Sequence, residues 1–410
     1  MVRMKRILVV GGGAYQVPLI KRIIQMGGTA FCIDKNPYSP GFAYASESSV
    51  IDVIDVEACL EYAHKKGIDA VMTYGATLPL PTVSYVGDRL GLPTLPMETA
   101  KLAKNKYLIK RRLMESGCNS WGECISMRSV SQAMECKYEY PCVIKPCDGS
   151  GSKGVSIIRG ADDLESAILY ASKSARYGEF YCERYIVGNE YTVETFVDHH
   201  KIFVYGIIKT TFEKNGLDNE SIEYGHCTPS GLNPIIEESI RQEVEKAVRG
   251  LGINMGSVNF DIIVSEVDRK PYIIDCGIRV GQNLIASHII PFSRGVDILD
   301  NTIKQALGEP IDAEPKKQEC IATRLLIYNP GIIKSIGDYR REIGNNGVID
   351  IVLRKKPGDT QRLYIDKADT CGWVICKGKT PEEAEIQATN ARRKLKEYFD
   401  IEEGCNVQTI

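Results

Sequence analysis

The chain opens on a short uninterrupted apolar block, Ile7 to Val10, closed by three glycines, and thereafter alternates such blocks with stretches of helical period. Lys5 to Val10 reads as a strand buried on both faces, Ala14 to Gly27 as a helix stopped by Gly27 and Gly28, and Thr29 to Asp34 as the next strand. Val56 to Lys66 then reads as a helix ended by Gly67, Ala70 to Thr73 as a strand, and Leu78 to Leu90 as a helix. Strand and helix in alternation predict a parallel sheet covered on both faces. The rigid stretch Gly91 to Pro96 marks a boundary.

Beyond it Thr99 to Ser116 reads as one helix, and then the period changes. Pro141 to Lys145, Val155 to Ile158, Phe180 to Ile186, Tyr191 to Val197 and Lys201 to Thr211 are rich in strand formers, with Asp198, His199 and His200 as a hairpin turn. A second hairpin runs from Ser257 to Val264 and back over Tyr272 to Cys276, and helices are expected at Asp162 to Ser174 and Ile235 to Leu251. Strands broken by separate helices point to α+β architecture. The polar stretch Glu309 to Lys317 introduces a last unit, with strands at Cys320 to Tyr328, Gly347 to Leu353, Leu363 to Ile365 and Val374 to Cys376 and a helix from Thr380 to Phe399.

Composition narrows the class. Apolar residues at 43% and charged residues at 25% describe a folded globular protein. A net charge of -2 gives no global positive field for nucleic acid. The N-terminal apolar run is too short for a secretory core or a membrane span, so the expected location is the cytoplasm, with no membrane partner. None of the 14 cysteines forms a C-x-x-C pair, and reduced structural thiols are expected.

Five features carry chemistry. Gly11 to Gly13 with Asp34 suggest a dinucleotide turn, but Gln16 stands where the third glycine of that fingerprint belongs, and a plain strand-to-helix turn accounts for them as well. The loop Asp148 to Gly154, with Ser150, Ser152 and Lys153 among its alternating glycines, can lie flat over a polyphosphate or be a flexible hairpin. Lys145, inside an apolar strand, requires an anion, either a phosphate or a neighbouring carboxylate. Glu183 and Glu190 bracket Tyr185 and Ile186 in a segment able to present backbone to an adenine edge while the carboxylates take an amine and a ribose. Asp261 and Asp275, on the two strands of one hairpin, can converge as hard oxygen ligands, and Arg279 follows where a guanidinium could neutralise phosphoryl charge or hold a carboxylate.

Taken in order, Lys106, the run Pro141 to Val155, the segment Glu183 to Glu194, and Asp261 with Asp275 to Gly281 resemble the ATP-grasp superfamily. Lys209 to Thr211 with Glu223, Gly225, His226 and Pro229, and the later Gly331 to Ile333, Gly372 to Val374 and Glu382 to Ala384, are similar to the L-amino acid ligase and carboxylate-amine ligase branch, which shares its plan with biotin carboxylase and purine-pathway enzymes. The resemblance implies a Rossmann-like α/β pre-ATP-grasp domain over residues 1–98, an α+β ATP-grasp domain over 99–312 with a lid at about 124–184, and a small α+β C-terminal domain over 313–410. It implies ATP with magnesium, or manganese in its place, and an ADP-forming ligase joining a small carboxylate to an amine through an acyl phosphate, in a homodimer. Lys106 and Lys145 would contact phosphates, Glu183 with the backbone of Tyr185 and Ile186 the adenine, Glu190 the ribose, and Ser150, Ser152 and Lys153 the closing loop. Asp261 and Asp275 would hold the metal, with Arg279, Lys145 and His226 at the reacting groups. Gly277 departs from the family's asparagine at that place. The alternatives are a purine-pathway or carboxylase-like enzyme of the same plan, and a noncatalytic ATP-binding module.

Overall fold

In the computed structural model, which describes residues 4–120, 125–149, 151, 153–199, 201–214, 221–364 and 369–402, the first apolar block becomes β1 (Arg6–Val10), with Ile7 to Val10 buried. There follow α1 (Val17–Gln25), β2 (Thr29–Asp34), β3 (Glu47–Val50), α2 (Val56–Lys66), β4 (Ala70–Met72) and α3 (Leu80–Leu90). The strands make a parallel sheet in the order β3-β2-β1-β4. Alternation sorts its faces: Ile7, Val9, Ala30 and Cys32 pack with Leu19, Ile20 and Ile23 of α1, and Leu8, Val10, Phe31 and Ile33 with residues of α2 and α3. The edge strand β3 has no apolar alternation, being mostly exposed and polar, and so gave no signal.

The helix expected from Thr99 to Ser116 is two, α4 (Met97–Leu102) and α5 (Lys106–Glu115). Asn105 leaves helical geometry and caps α5 by accepting from the Leu108 N–H, which sets Lys106 at the helix start. Next come β5 (Ile125–Met127), α6 (Val130–Glu135), β6 (Cys142–Pro146), β7 (Ser156–Ile158), α7 (Leu164–Ser174) and β8 (Phe180–Arg184), an antiparallel sheet in the order β5-β8-β6-β7. Ile144, Ile158, Ile168 and Phe180 form its core with the helices.

The largest sheet draws on β9 (Gly188–Asp198), β10 (Lys201–Lys214), β11 (Ser221–Thr228), β12 (Met255–Ser265) and β13 (Pro271–Gly277), with α8 (Pro234–Gly250) between β11 and β12. After α9 (Ile290–Arg294) and α10 (Ile298–Ala306) it takes up β14 (Cys320–Leu326), passes by β15 (Gly331–Ile336), and adds β16 (Val348–Leu353). Past the short β17 (Thr360–Gln361), β18 (Gly372–Gly378) completes it before α11 (Pro381–Leu395) and β19 (Phe399–Glu402). Its order is β13-β12-β9-β10-β11-β14-β18-β16, and β17-β15-β19 form a separate small sheet. The β11 to β14 ladder, Gly225 opposite Arg324 through Thr228 opposite Ile321, carries one continuous sheet past the polar stretch Glu309 to Lys317. Leu363 and Tyr364 lie outside any strand, and Ile365 lies outside the described residues, as do His200, Ser150 and Ser152.

One face of β12 and its neighbours sends Val258, Phe260 and Ile262 into a core with Ile109 and Leu113 of α5 and Val244 and Val248 of α8. The other face carries the site and, with Phe196, Tyr205 and Ile208, a second core against Ile285, Ile289 and Ile298. At the C-terminal end, Thr380 accepts from the Glu383 N–H while Glu383 takes the Lys379 N–H at 2.8 Å, so Gly378, Lys379 and Thr380 act as a helix cap. Among the described residues the cysteines are all free, and no helix is long and apolar enough to cross a membrane.

Candidate functional site

The site is built from three rungs of one sheet face. Asp261 stands directly opposite Asp275 in the β12 to β13 ladder and opposite Thr192 of β9, whose hydroxyl it accepts at 3.1 Å. One rung along, Asn259 faces Gly277 on one side and Glu194 on the other, and its amide donates to Glu194 at 3.0 Å. Ser257 opposite Phe196 is the third rung, on the same face by the two-residue period.

Against the carboxylates lie the lysines. Lys106, at the start of α5, pairs with Asp275 and its N–H donates to the Cys147 carbonyl at 2.7 Å. Burial would raise the Asp275 carboxyl, but Lys106, Lys145 and the Cys276 N–H hold it down at about 2. Lys145 pairs with Glu183 of the neighbouring strand β8, so the anion its burial demanded is a carboxylate of this chain. Burial acts to depress the Lys145 ammonium, and Glu183, Asp275 and Glu190 together lift it above its ordinary value.

Sequence reasoning missed two members. Lys110 is one helical turn after Lys106, 4% exposed, and reaches Glu183 at 2.8 Å and the Ile273 carbonyl at 3.1 Å. Its spacing of four from Lys106 on one helix was the available signal. Against a burial cost that would raise it, Glu183 is kept low by Lys110 and Lys145. It is thus an enclosed carboxylate between two ammonium groups. The second is Glu194, fully buried on the middle rung, accepting from Asn259 and from the Gly281 N–H at 2.9 Å. Burial pushes its carboxyl up to about 8. Its even spacing from Thr192 and Glu190 along one strand put it on this face.

Glu190 is half-buried on β9 and close enough to act on Lys145. The Tyr185 N–H is engaged by the Pro141 carbonyl at 3.1 Å, which leaves Ile186 next along the connection. Lys153 is exposed at the foot of the loop, where Gly149, Gly151 and Gly154 take positive φ of 101°, 72° and 80°. Arg279 folds back over Gly277: a Cβ there would meet its guanidinium carbon at 3.3 Å, so the missing asparagine and the arginine's pose go together. Past Arg279, Asn283 and Leu284 take left-handed φ of 54° and 67°, backbone that costs free energy and clusters at functional sites. Asn283 donates to Glu223 at 3.2 Å, and Glu223 approaches the His226 Nε2 at 3.6 Å. His226 itself is buried on β11, three strands from β12, which carries Asp261.

Gly11 to Gly13 do not form an open dinucleotide cradle. Asp34 accepts from the Gly12 N–H at 2.8 Å, Gly41 donates to the Gly12 carbonyl at 2.7 Å, and a Cβ on Gly12 would meet Ser39 at 2.9 Å. Gly12 serves the packing of that turn, and Gly11 takes a φ of 103° there.

Among the described residues no group of three His, Cys, Asp or Glu side chains converges as a metal cage. Two carboxylates with the Asn259 amide nearby are nonetheless a hard oxygen set, fitting a magnesium ion that keeps waters and phosphate oxygens in its shell.

Known proteins match the chain in two segments and in fold. Residues 103–281 match the ATP-grasp domain family, and residues 324–398 match L-amino acid ligase C-terminal domain 2. Over 232 residues the chain is 28% identical to a formate-dependent phosphoribosylglycinamide formyltransferase of Bordetella avium, covering 55% of this chain and 53% of that protein. The enzyme of the same name from Rhodococcus jostii is 26% identical over 300 residues, covering 65% and 69%. The chain thus spans about half the length of the first of these relatives. Among solved structures, an L-amino acid ligase from Bacillus licheniformis superposes with a TM-score of 0.80 at 19% identity, over 98% of this chain and 100% of that one. A phosphoribosylglycinamide synthetase from Anaerococcus prevotii does so with a TM-score of 0.75 at 20% identity, over 98% and 100%. At these identities the likeness is one of fold.

Proposed function

We propose, for a chain that carries an ATP-grasp domain and ends in an L-amino acid ligase C-terminal domain, that it is an ADP-forming ligase joining a small, amino-acid-like carboxylate to an amine. The observation that carries the reading is the cluster in which Lys145 and Lys106 meet Glu183, Asp275 and Glu190 beside the opposed pair Asp261 and Asp275. Such a cluster exchanges internal ion pairs for phosphate and metal when nucleotide enters. Lys106 and Lys145 then take phosphate oxygens, Glu183 with Tyr185 and Ile186 borders the base, and Glu190 takes the ribose. Ser150, Ser152 and Lys153 belong to the loop that closes over them.

A magnesium ion brought in with ATP would be held by Asp261 and Asp275 and would offset charge on the phosphates. A substrate carboxylate oxygen attacks the γ-phosphorus, the bond to the bridging oxygen of ADP breaks, and Lys145 and Arg279 neutralise the transferring group. The amine nitrogen then attacks the acyl carbon, the C–N bond forms, phosphate leaves with its electron pair, and the amine gives up a proton. His226, linked through Glu223 to Asn283, orients the segment following Arg279. The units are residues 1–98, in the pre-ATP-grasp position, 99–312 with its lid at about 124–184, and 313–410, and two chains form the working dimer.

The test is phosphate release from magnesium ATP over amino acids offered singly and in pairs, with Lys145→Met as control. Release that needs both a carboxylate and an amine, and is lost in the variant, supports the ligase. Release with bicarbonate alone would favour the carboxylase-like alternative. ATP binding without release under any mixture would make the chain a nucleotide-binding module.

A further inference from the structure

Next to the site lies a half-open cavity of about 90 Å³, bordered by the end of β4, helix α3, the first residues of β12 and helix α10. Most of its wall is apolar, with Met72, Leu80, Val83, Leu95 and Ala306 in it. Of the polar residues that also line it, Thr302 donates to the Ile298 carbonyl and Gln305 is held by Gly256 and Val197, and two hydroxyls stand apart from these. Ser84, 2% exposed, and Ser257, 7% exposed, both line it, and neither hydroxyl has a hydrogen-bond partner among the described residues. A hydroxyl buried without a partner is costly, and the majority of buried polar side-chain atoms in folded proteins are paired. A cavity with two such groups is built for an occupant that supplies the partner.

Its place says which occupant. Ser257 is on the face of β12 that carries Asn259 and Asp261, four residues or about 13 Å from Asp261 along the strand. Arg279, the residue nearest in sequence to Asp275 that could hold a substrate carboxylate, lines the cavity as well. A molecule with its reacting group at Arg279 therefore has this space beside it. The volume is well below the roughly 150 Å³ of a cavity that takes up a benzene ring, so a short chain fits and an aromatic ring with its stem does not. No carboxylate lines the cavity, so an ammonium group would enter unpaired.

Resting on the ligase reading above, we infer that this cavity is the specificity pocket for one of the two substrates, accepting a short aliphatic side chain that carries one hydrogen-bonding atom. Homoserine, threonine and O-methylserine have such side chains. Glycine leaves the pocket empty, and lysine and phenylalanine do not fit it.

The experiment compares kcat/KM for these six amino acids in wild type, in Ala306→Leu, which fills the cavity from α10, and in Val83→Ala, which enlarges it. The expected result is a preference of about tenfold or more for the short polar aliphatic side chains over glycine, lysine and phenylalanine. That preference collapses in Ala306→Leu and shifts toward longer chains in Val83→Ala. Turnover with the same ratios in all three proteins would overturn the pocket and leave the ligase standing. If no amino acid supports phosphate release, the ligase reading fails, and thermal shift by homoserine in the presence of a nonhydrolysable ATP analogue decides the pocket alone. A stabilisation in wild type that Ala306→Leu abolishes keeps it, and no stabilisation overturns it. Circular dichroism of both variants, with Val83→Ala as the less intrusive change, separates loss of the pocket from loss of the fold.

Discussion

Lys145 and Glu183 sit on adjacent antiparallel strands, two positions out of register, and meet in a buried ion pair that Lys110 completes from helix α5. With two ammonium groups on one carboxylate the trio has a net positive charge. When Lys145 turns to a phosphate, Lys110 remains to hold Glu183, so the carboxylate is not stranded.

That division of labour sets a stability difference. Lys110→Met leaves a buried glutamate with one counterion and is expected to cost about 2–3 kcal/mol. Lys106→Met breaks a pair whose members are 26% and 33% exposed and should cost about 1 kcal/mol or less. Urea unfolding of the two variants without nucleotide checks this, and equal losses would contradict it.

Lys145→Met and Asp275→Asn each remove a charge placed where phosphate and metal are proposed to be. Each is expected to lower kcat by about a hundredfold or more, the usual effect of deleting one preorganised electrostatic group. Asp275→Asn should also raise the magnesium concentration needed for half-maximal turnover, while Lys145→Met should not. Steady-state kinetics at varied magnesium distinguishes them.

Glu194 predicts a pH effect. Burial holds its carboxyl at about 8, above an ordinary 4.5, with Asn259, the Gly281 N–H and Arg279 opposing and Asp261 reinforcing. Between those values the folded chain keeps a proton that the unfolded chain releases. Its contribution is therefore complete below the lower value and is lost as pH rises toward the upper one. Glu194→Gln removes that slope, so relative to wild type it gains about 2–4 kcal/mol between about pH 5 and about pH 8. Urea midpoints of both proteins at the two pH values test it, and parallel behaviour would be the contrary result.

Thiol labelling reports on the core. Of the described cysteines, Cys136 and Cys320 are half-buried and the others buried, with burial pushing the Cys32, Cys59, Cys227 and Cys376 thiols up to about 12. Under native conditions a disulfide reagent should modify Cys136 and Cys320 ahead of the other described thiols. Mass mapping of the adducts reads the order, and early labelling of Cys32 or Cys376 would contradict the packing.

What could be read beforehand followed the strength of local pattern. Strands such as Thr29–Asp34 and helix Val56–Lys66 were legible to the residue because apolar period, cap and glycine stop agree there. Strand β3 was not, since an exposed polar edge carries no alternation. Nor was the break at Asn105, where a capping side chain overrides helical period. The opposed pair Asp261 and Asp275 was legible from one hairpin, because a short turn fixes register. Lys110 and Glu194 were legible only as to face, by their spacing from Lys106 and from Thr192, because each owes its role to a partner far away in sequence, Glu183 and Gly281. His226 shows the converse, a histidine three strands from β12 that approaches Glu223.

In the proposed reaction a carboxylate oxygen of the substrate passes to phosphorus. Turnover of a substrate carboxylate labelled with heavy oxygen, in the presence of magnesium ATP and amine, follows that oxygen. The expected products are ADP together with phosphate carrying one labelled oxygen, with the second label retained in the amide. AMP and pyrophosphate, or ADP with unlabelled phosphate, would contradict that transfer.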